Sequence, residues 1–383
     1  MTMVRPLAAR VAALKPSATV EMTERLRAAR AAGHKILSLS SGDPNLLTDP
    51  RIIEAAHRAM QAGDTHYAPA AGIPALREAI AAREVRHGAH YDPADILVTP
   101  GGKFALLAAL AGTVSPDDEV IVPEPGWVSY GPCVQMCGGK PVMLPMLDSV
   151  DTAALERAIT ARTVAIILNS PVNPSGRVLP AAEIEAVLRL AEQHNLWLIF
   201  DQVYADLLHT APFTYPQADE RGHARTLVVD SFSKTFGMTG WRLGYLAMPP
   251  GMAKTVQRFL QHSIYCVPGF IQAAGVTALS LFDEVVPEYC ARFRRRQLHA
   301  AERLNRIPGI ECPLPRASFY LFPAVAADDA ALAAHWLDVL NVSTLPGSAF
   351  GPAGAGHLRL SMSSDDVEID AALDRIEQAG IDI

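Results

Sequence analysis

Between residues 95 and 231 the chain alternates two textures. Short unbroken apolar runs, DILVT (95–99), DEVIVP (118–123), KPVMLP (140–145), TVAIIL (163–168), LWLIFD (196–201) and TLVVDS (226–231), are separated by segments with helix-like apolar spacing, among them KFALLAALAGTV, TAALERAI and AAEIEAVLRLAEQHN. A strand that is apolar at every position has no solvent face, so these runs predict buried strands in a mainly parallel sheet with helices on both sides. Ligands of such sheets settle at the carboxyl ends of the strands. That is where glycine and polar residues collect here: TPGGK, PEPGW, NSPVNPSG, DQVY and SFSK.

Beyond about residue 285 the texture changes. A long polar helix, PEYCARFRRRQLHAAERLN, leads to short strand-like pieces such as ASFYLFP and GHLRLSMS. The expected architecture is α/β, with a large domain over residues 45–285 and a smaller α/β domain built from 1–44 and 286–383. The Gly-rich segment PGSAFGPAGAG (346–356) is expected to be a moving loop. No repeat, low-complexity tract or Gly/Ser linker interrupts the chain.

Composition narrows the function. A chain of 383 residues that is 50% hydrophobic can bury a large core. Its net charge of −7 offers no footprint for nucleic acid. The five cysteines, at 133, 137, 266, 290 and 312, lack metal-ligand spacing, and no apolar stretch reaches the ~18 residues of a membrane span. A soluble, cytoplasmic protein with no membrane or metal partner is the expectation.

The strand ends carry the chemistry. Lys234 follows TLVVDS among small hydroxylated residues, with Arg242 eight positions on. A lone lysine after a strand is usually solvated. One withdrawn from water near another cation has its pKa lowered and becomes an amine able to form a Schiff base. Asp201, closing LWLIFD, either caps a helix or faces a cation. PGGK (100–103) is an anion site by backbone geometry, although a tight turn would look the same.

Together, an imine-forming lysine, a carboxylate able to face a protonated pyridine nitrogen and a phosphate cradle match the needs of pyridoxal phosphate. The sequence resembles the class I/II aminotransferases of the fold-type I pyridoxal-phosphate enzymes, in their aspartate aminotransferase-like branch. The likeness runs from RVAALKPSATV through LSSGDP, DTHYAPAAGIPALREAI, VTPGGKFAL, WVSY, NSPVNPSG, DQVYADL and SFSKTFGMTGWRLGY to HLRLSMS. It implies a seven-stranded, mainly parallel sheet in the large domain. It implies that Lys234 is the covalent anchor and proton shuttle, and that Asp201 keeps the ring nitrogen protonated. Tyr204 and Asn173 would bond the ring's phenolic oxygen, and Trp127 would stack on its face. The phosphate would lie on Gly101, Gly102 and Lys103 with Ser231, Ser233 and Arg242, and Tyr67 would reach it from a second subunit of a homodimer. Arg359 would clamp the substrate α-carboxylate, aided by the backbone of Gly42 and by Asn173. Arg242 would also lower the Lys234 pKa.

The implied reaction is a ping-pong transfer of an amino group between an amino acid and a 2-oxo acid. Lys103 either reads the distal carboxylate of aspartate, glutamate or 2-oxoglutarate, or lies in solvent near the phosphate. Phe104, with Tyr265 and Cys266 from across the interface, predicts more apolar surroundings, leaving aromatic, branched or basic donors open. The DPNLL segment also lacks the family's phenylalanine. An aspartate-type transaminase is the first reading. A pyridoxal-phosphate lyase or synthase, an oxidase of a basic amino acid and an amino-acid sensor share most of these residues.

Overall fold

The computed structural model describes residues 8–210 and 212–381; residues 1–7, 382 and 383 of the expected small domain lie outside that range. All six apolar runs are strands of one sheet, and a seventh strand, Gly244–Ala247, joins them. The spatial order is Ile96–Thr99, Gly244–Ala247, Thr226–Ser231, Trp197–Asp201, Thr163–Asn169, Glu119–Glu124, Lys140–Pro145. Only the seventh runs antiparallel to its neighbours. Register places Asn169 opposite Asp201, and Ser231 opposite Gly244, which also faces Thr99. The polar strand ends are thereby lined up along one rim.

One expectation is corrected. The run KPVMLP was read as a buried strand, but it forms the sheet's edge, and Met143 is substantially exposed. Its composition explains this: Pro141 and Pro145 cannot donate to a ladder, and Lys140 stays in water on Asp117. The helix Gly102–Thr113 lies on the sheet through Ala105, Leu106, Ala109 and Leu110, all fully buried.

A second layer is assembled from both ends of the chain. Leu37–Ser38 pairs in parallel with Val342–Ser343, and Leu358–Ser361 pairs with both Tyr320–Leu321 and Leu345–Pro346. Leu37, Leu39, Leu332, Trp336, Leu360 and Ile369 share its core. The helix Phe282–Leu304 starts five residues before the predicted PEYCARF segment and carries Pro287 inside it. Its first half contributes Val286 and Phe293 to the core against the large sheet, and its second half contributes Ala301 and Leu304 to the other core.

The Gly-rich segment 346–356 is not an open loop. It folds into two short 3₁₀ turns, Gly347–Phe350 and Pro352–Gly354. A Cβ on Gly347 would stand 2.1 Å from the Gly354 carbonyl oxygen, and one on Gly354 would stand 2.3 Å from that of Gly347. Among the described residues, no single helix is long and apolar enough to cross a membrane.

Candidate active site

The strand ends and the second layer enclose a cavity of about 430 Å³. Gly42, Gly102, Lys103, Trp127, Asn173, Asp201, Tyr204, Ser231, Ser233, Lys234, Arg242 and Arg359 all line it. Gly101 lies just behind, and Tyr67 lies outside.

Lys234 sits in the short helix Phe232–Thr235, which begins where its strand ends and is capped by the Ser231 hydroxyl accepting from Ser233 N. Its Nζ donates to the Gly42 carbonyl at 2.7 Å. The Lys234 pKa is lowered to about 8, chiefly by burial; Asp43 opposes the shift, while Arg242 and Arg359 add to it. Arg242 lowers it, as expected, but less than the loss of water does. The Gly42 carbonyl, expected beside substrate, here holds the lysine.

Asp201 is buried, and burial pushes its pKa to about 6, while hydrogen bonds from the Tyr130 hydroxyl and Val203 N restrain the rise. Those bonds measure 2.6 Å to Oδ2 and 3.1 Å to Oδ1. A carboxylate held this dry by two neutral donors is poised to face a cation. Asn169 completes the frame: its Nδ2 donates to the Asp201 carbonyl at 2.9 Å and its Oδ1 accepts from Asn173 N at 2.8 Å.

The anion cradle is built from backbone. Gly101 has φ +84°, and an added Cβ would lie 2.8 Å from Arg242 Nη2, so only glycine fits. It opens the helix Gly102–Thr113, whose first amides are free to bind an anion. Arg242 donates only to the Thr239 and Pro100 carbonyls, and among the described residues no carboxylate forms an ion pair with it. The Ser231 hydroxyl donates to Ser233 Oγ at 2.7 Å.

Arg359 stands at the opposite wall, 1% exposed. Its Nη1 donates to Asn173 Oδ1 at 3.1 Å and its Nη2 to the Ser40 carbonyl at 2.7 Å; among the described residues its Nε has no partner. The guanidinium carbon lies 4.4 Å from the Tyr320 ring centroid and 5.0 Å from that of Phe350. Burial lowers its pKa, because rings and neutral oxygens do not replace a counter-ion. Tyr204 and Tyr320 share a hydroxyl contact of 3.0 Å beside it.

Trp127 lines the cavity edge-on to Tyr130, and Lys103 Nζ lies 5.1 Å from its ring centroid. Lys103 is exposed yet borders the cavity. Phe104 does not: its ring packs on Phe259, so it adds nothing apolar to the wall. Tyr265 packs edge-on against Tyr67 at 4.8 Å, and neither it nor Cys266 borders the cavity within this chain. No metal-binding cluster occurs among the described residues.

Sequence reasoning passed over Tyr130, Asn169 and Tyr320. Tyr130 stood within WVSY, and the signal was available: a buried Asp201 needs a donor. The helix Ala18–Ala31 also lends Thr19, Val20 and Thr23 to the rim. The donor set fits pyridoxal phosphate: amides and a free guanidinium for a dianion, a dry carboxylate for a ring N–H, an indole for the ring face and a depressed amine for an aldehyde.

Comparison with known proteins agrees. The family profile described as "Aminotransferase class I and II" matches residues 34–376. An aspartate aminotransferase from Musicola paradisiaca is 35% identical over 98% of this chain and 96% of its own. Aromatic-amino-acid aminotransferase 2 from Thermococcus litoralis is 37% identical over 90% and 91% respectively. The crystal structure of Thermus thermophilus aspartate aminotransferase with maleate superposes with TM-score 0.93 at 35% identity, covering 98% of this chain and all of that one. The chain belongs to the class I and II aminotransferases, pyridoxal-phosphate-dependent enzymes that move an amino group between an amino acid and a 2-oxo acid.

Proposed function

We propose that this chain is an aspartate- or glutamate-type aminotransferase using 2-oxoglutarate as acceptor. The observation that carries the reading is Arg359, a buried guanidinium with no carboxylate partner among the described residues, facing a cavity lined by Lys234 and Asp201. A buried cation in that state calls for an anion, and the α-carboxylate of an amino acid supplies one in bidentate geometry. Lys103, at the cavity border with its Nζ 5.1 Å from the Trp127 ring centroid, would pair with a second, distal carboxylate. The relatives named aspartate aminotransferase support the same reading.

The chain's residues divide the work. Arg359 and Asn173 orient the substrate through its carboxylate. Gly101, Gly102, Ser231, Ser233 and Arg242 would hold the phosphate, and Trp127, Tyr204 and Asn173 would hold the ring. When bound, pyridoxal phosphate supplies a sink for the electrons released from the substrate Cα–H bond. Asp201, held in place by Tyr130 and Val203, would keep the ring nitrogen protonated. Lys234 Nζ, its pKa lowered to about 8, would take the Cα proton from the substrate.

Lys103→Met is expected to lower kcat/KM for aspartate about 10–100-fold, the worth of one charge-assisted hydrogen bond, and to change that for phenylalanine by less than about threefold. A panel of donors, scored by the absorbance change of the bound cofactor, measures this. Undiminished aspartate turnover would favour aromatic donors, the activity named for the Thermococcus relative.

The same proposal includes a cytoplasmic homodimer, with residues 45–285 as the large domain and 1–44 with 286–383 as the small one. Tyr67 is 85% exposed and outside its own chain's cavity, which suits a residue that completes a neighbour's site. Tyr67→Phe is expected to speed cofactor loss on dialysis about fivefold, roughly one hydrogen bond. A fully active monomer in sedimentation would contradict it. The five cysteines are all free thiols, as a reducing compartment favours.

A further inference from the structure

A second concentration of charge lies directly behind the cavity wall. Gln202 follows Asp201, Asp230 precedes Ser231, and Thr235 follows Lys234, and none of the three lines the cavity. Gln202 and Asp230 meet Glu84 and Arg83 of the helix Pro74–Arg86, both buried, and Thr235 is joined to Arg83 through Asp206.

Arg83 is the hub. Its Nη1 donates to Asp230 Oδ2 at 2.8 Å and its Nη2 to Asp206 Oδ2 at 2.5 Å. It also contacts the Tyr245 hydroxyl and Glu84 Oε1. One planar fork thus bridges the end of strand Thr226–Ser231 and the segment after strand Trp197–Asp201. Each carboxylate passes the hold onward. Asp230 Oδ1 accepts from Ser231 N at 2.6 Å, in the anion cradle. Asp206 Oδ2 accepts from the Thr235 hydroxyl at 3.0 Å, in the turn that carries Lys234. Gln202 Nε2 donates to Glu84 Oε1 at 2.9 Å and to Asp230 Oδ2 at 3.0 Å.

Such a cluster is a poor way to obtain stability. Three buried carboxylates around one guanidinium, with His87 Nδ1 3.4 Å from Glu84 Oε1, cost more to desolvate than the aliphatic packing used elsewhere against this sheet. Burial alone would raise Glu84, yet His87, Arg83 and Tyr245 hold it down to about 2; burial raises Asp230 despite Arg83. What the cluster provides is direction: Gln202, Asp230 and Thr235, which it holds, each sit one residue from a group that lines the cavity.

We propose that Arg83 and Asp206 are positioning residues for transamination, the guanidinium locking the two strand ends together and Asp206, through the Thr235 hydroxyl, fixing the turn that aims Lys234. The inference rests on the reading of Lys234 as the cofactor's anchor. Thr235 is where the hold can be cut with least damage, since its hydroxyl is one of the last links and no charge is removed.

The test uses the full-length, cofactor-loaded enzyme with Thr235→Val and Thr235→Ser. Thr235→Val is expected to release cofactor about fivefold faster, the factor carried by one net hydrogen bond. The pH midpoint of its visible band should move by about 0.7 unit. Thr235→Ser keeps the hydroxyl and should behave as wild type in both respects. Native release and a native midpoint in Thr235→Val would overturn the proposal, as would equal impairment in the two variants, which marks a packing role. Should Thr235→Val fail to load, Thr235→Ala removes the same hydroxyl without a branched replacement and carries the same comparison. Borohydride reduction of the wild type that left no cofactor on Lys234 would instead remove the reading underneath, separating the two failures.

Discussion

Lys234→Ala is expected to lower kcat about 10⁴-fold, the upper end of what a positioned proton-transfer group contributes. The reason lies in what surrounds the amine. Its partner is a carbonyl, Gly42 O, and burial disfavours its charge, opposed by Asp43 and aided by Arg242 and Arg359, so that its pKa falls to about 8. Alanine leaves the cradle around Arg242 and the carboxylate at Asp201 in place. Cofactor should therefore still bind, reversibly and without a covalent link, while 2-oxo acid formation in a single turnover collapses. A loss smaller than tenfold would place the proton-transferring group elsewhere. Folding is not at risk, because removing a buried amine relieves a desolvation cost.

Arg359→Met is expected to raise KM for the amino donor about 10²–10³-fold, the range for removing one partner of a buried charge pair. It should affect kcat far less, since Arg359 grips a part of the substrate that does not react. The accompanying stability result separates this site from a structural ion. Breaking a paired buried arginine typically costs about 3–5 kcal/mol. Here, among the described residues, the guanidinium has only neutral oxygens and two aromatic rings for company, and its Nε is unpartnered. The ligand-free variant should therefore melt no lower than wild type. A large drop in melting temperature would mean that Arg359 is a structural element.

The sheet was legible because its strands carry no polar face, and all six runs were placed nearly to the residue. The seventh strand, Gly244–Ala247, was missed because GYLA is short and sits inside a stretch dominated by its chemistry. The edge position of KPVMLP was written in its prolines and lysine, yet an apolar count overrides them. Lys234, Asp201 and Arg359 were readable because their residue types fall at strand ends and in family motifs. The Arg83 cluster was not, since positions 83, 84, 202, 206, 230 and 245 meet only after folding. In sequence, AAREVRH is indistinguishable from a solvated helix face.

The helix Phe282–Leu304 has a mechanical consequence. At 1.5 Å per residue it is a rod about 34 Å long, with Val286 and Phe293 rooted in one core and Ala301 and Leu304 in the other. Neither half of the molecule can lose its packing without fraying the beam it shares with its neighbour. The layer that grips carboxylate and the sheet that carries the amine are separate in their chemistry but tethered in their melting.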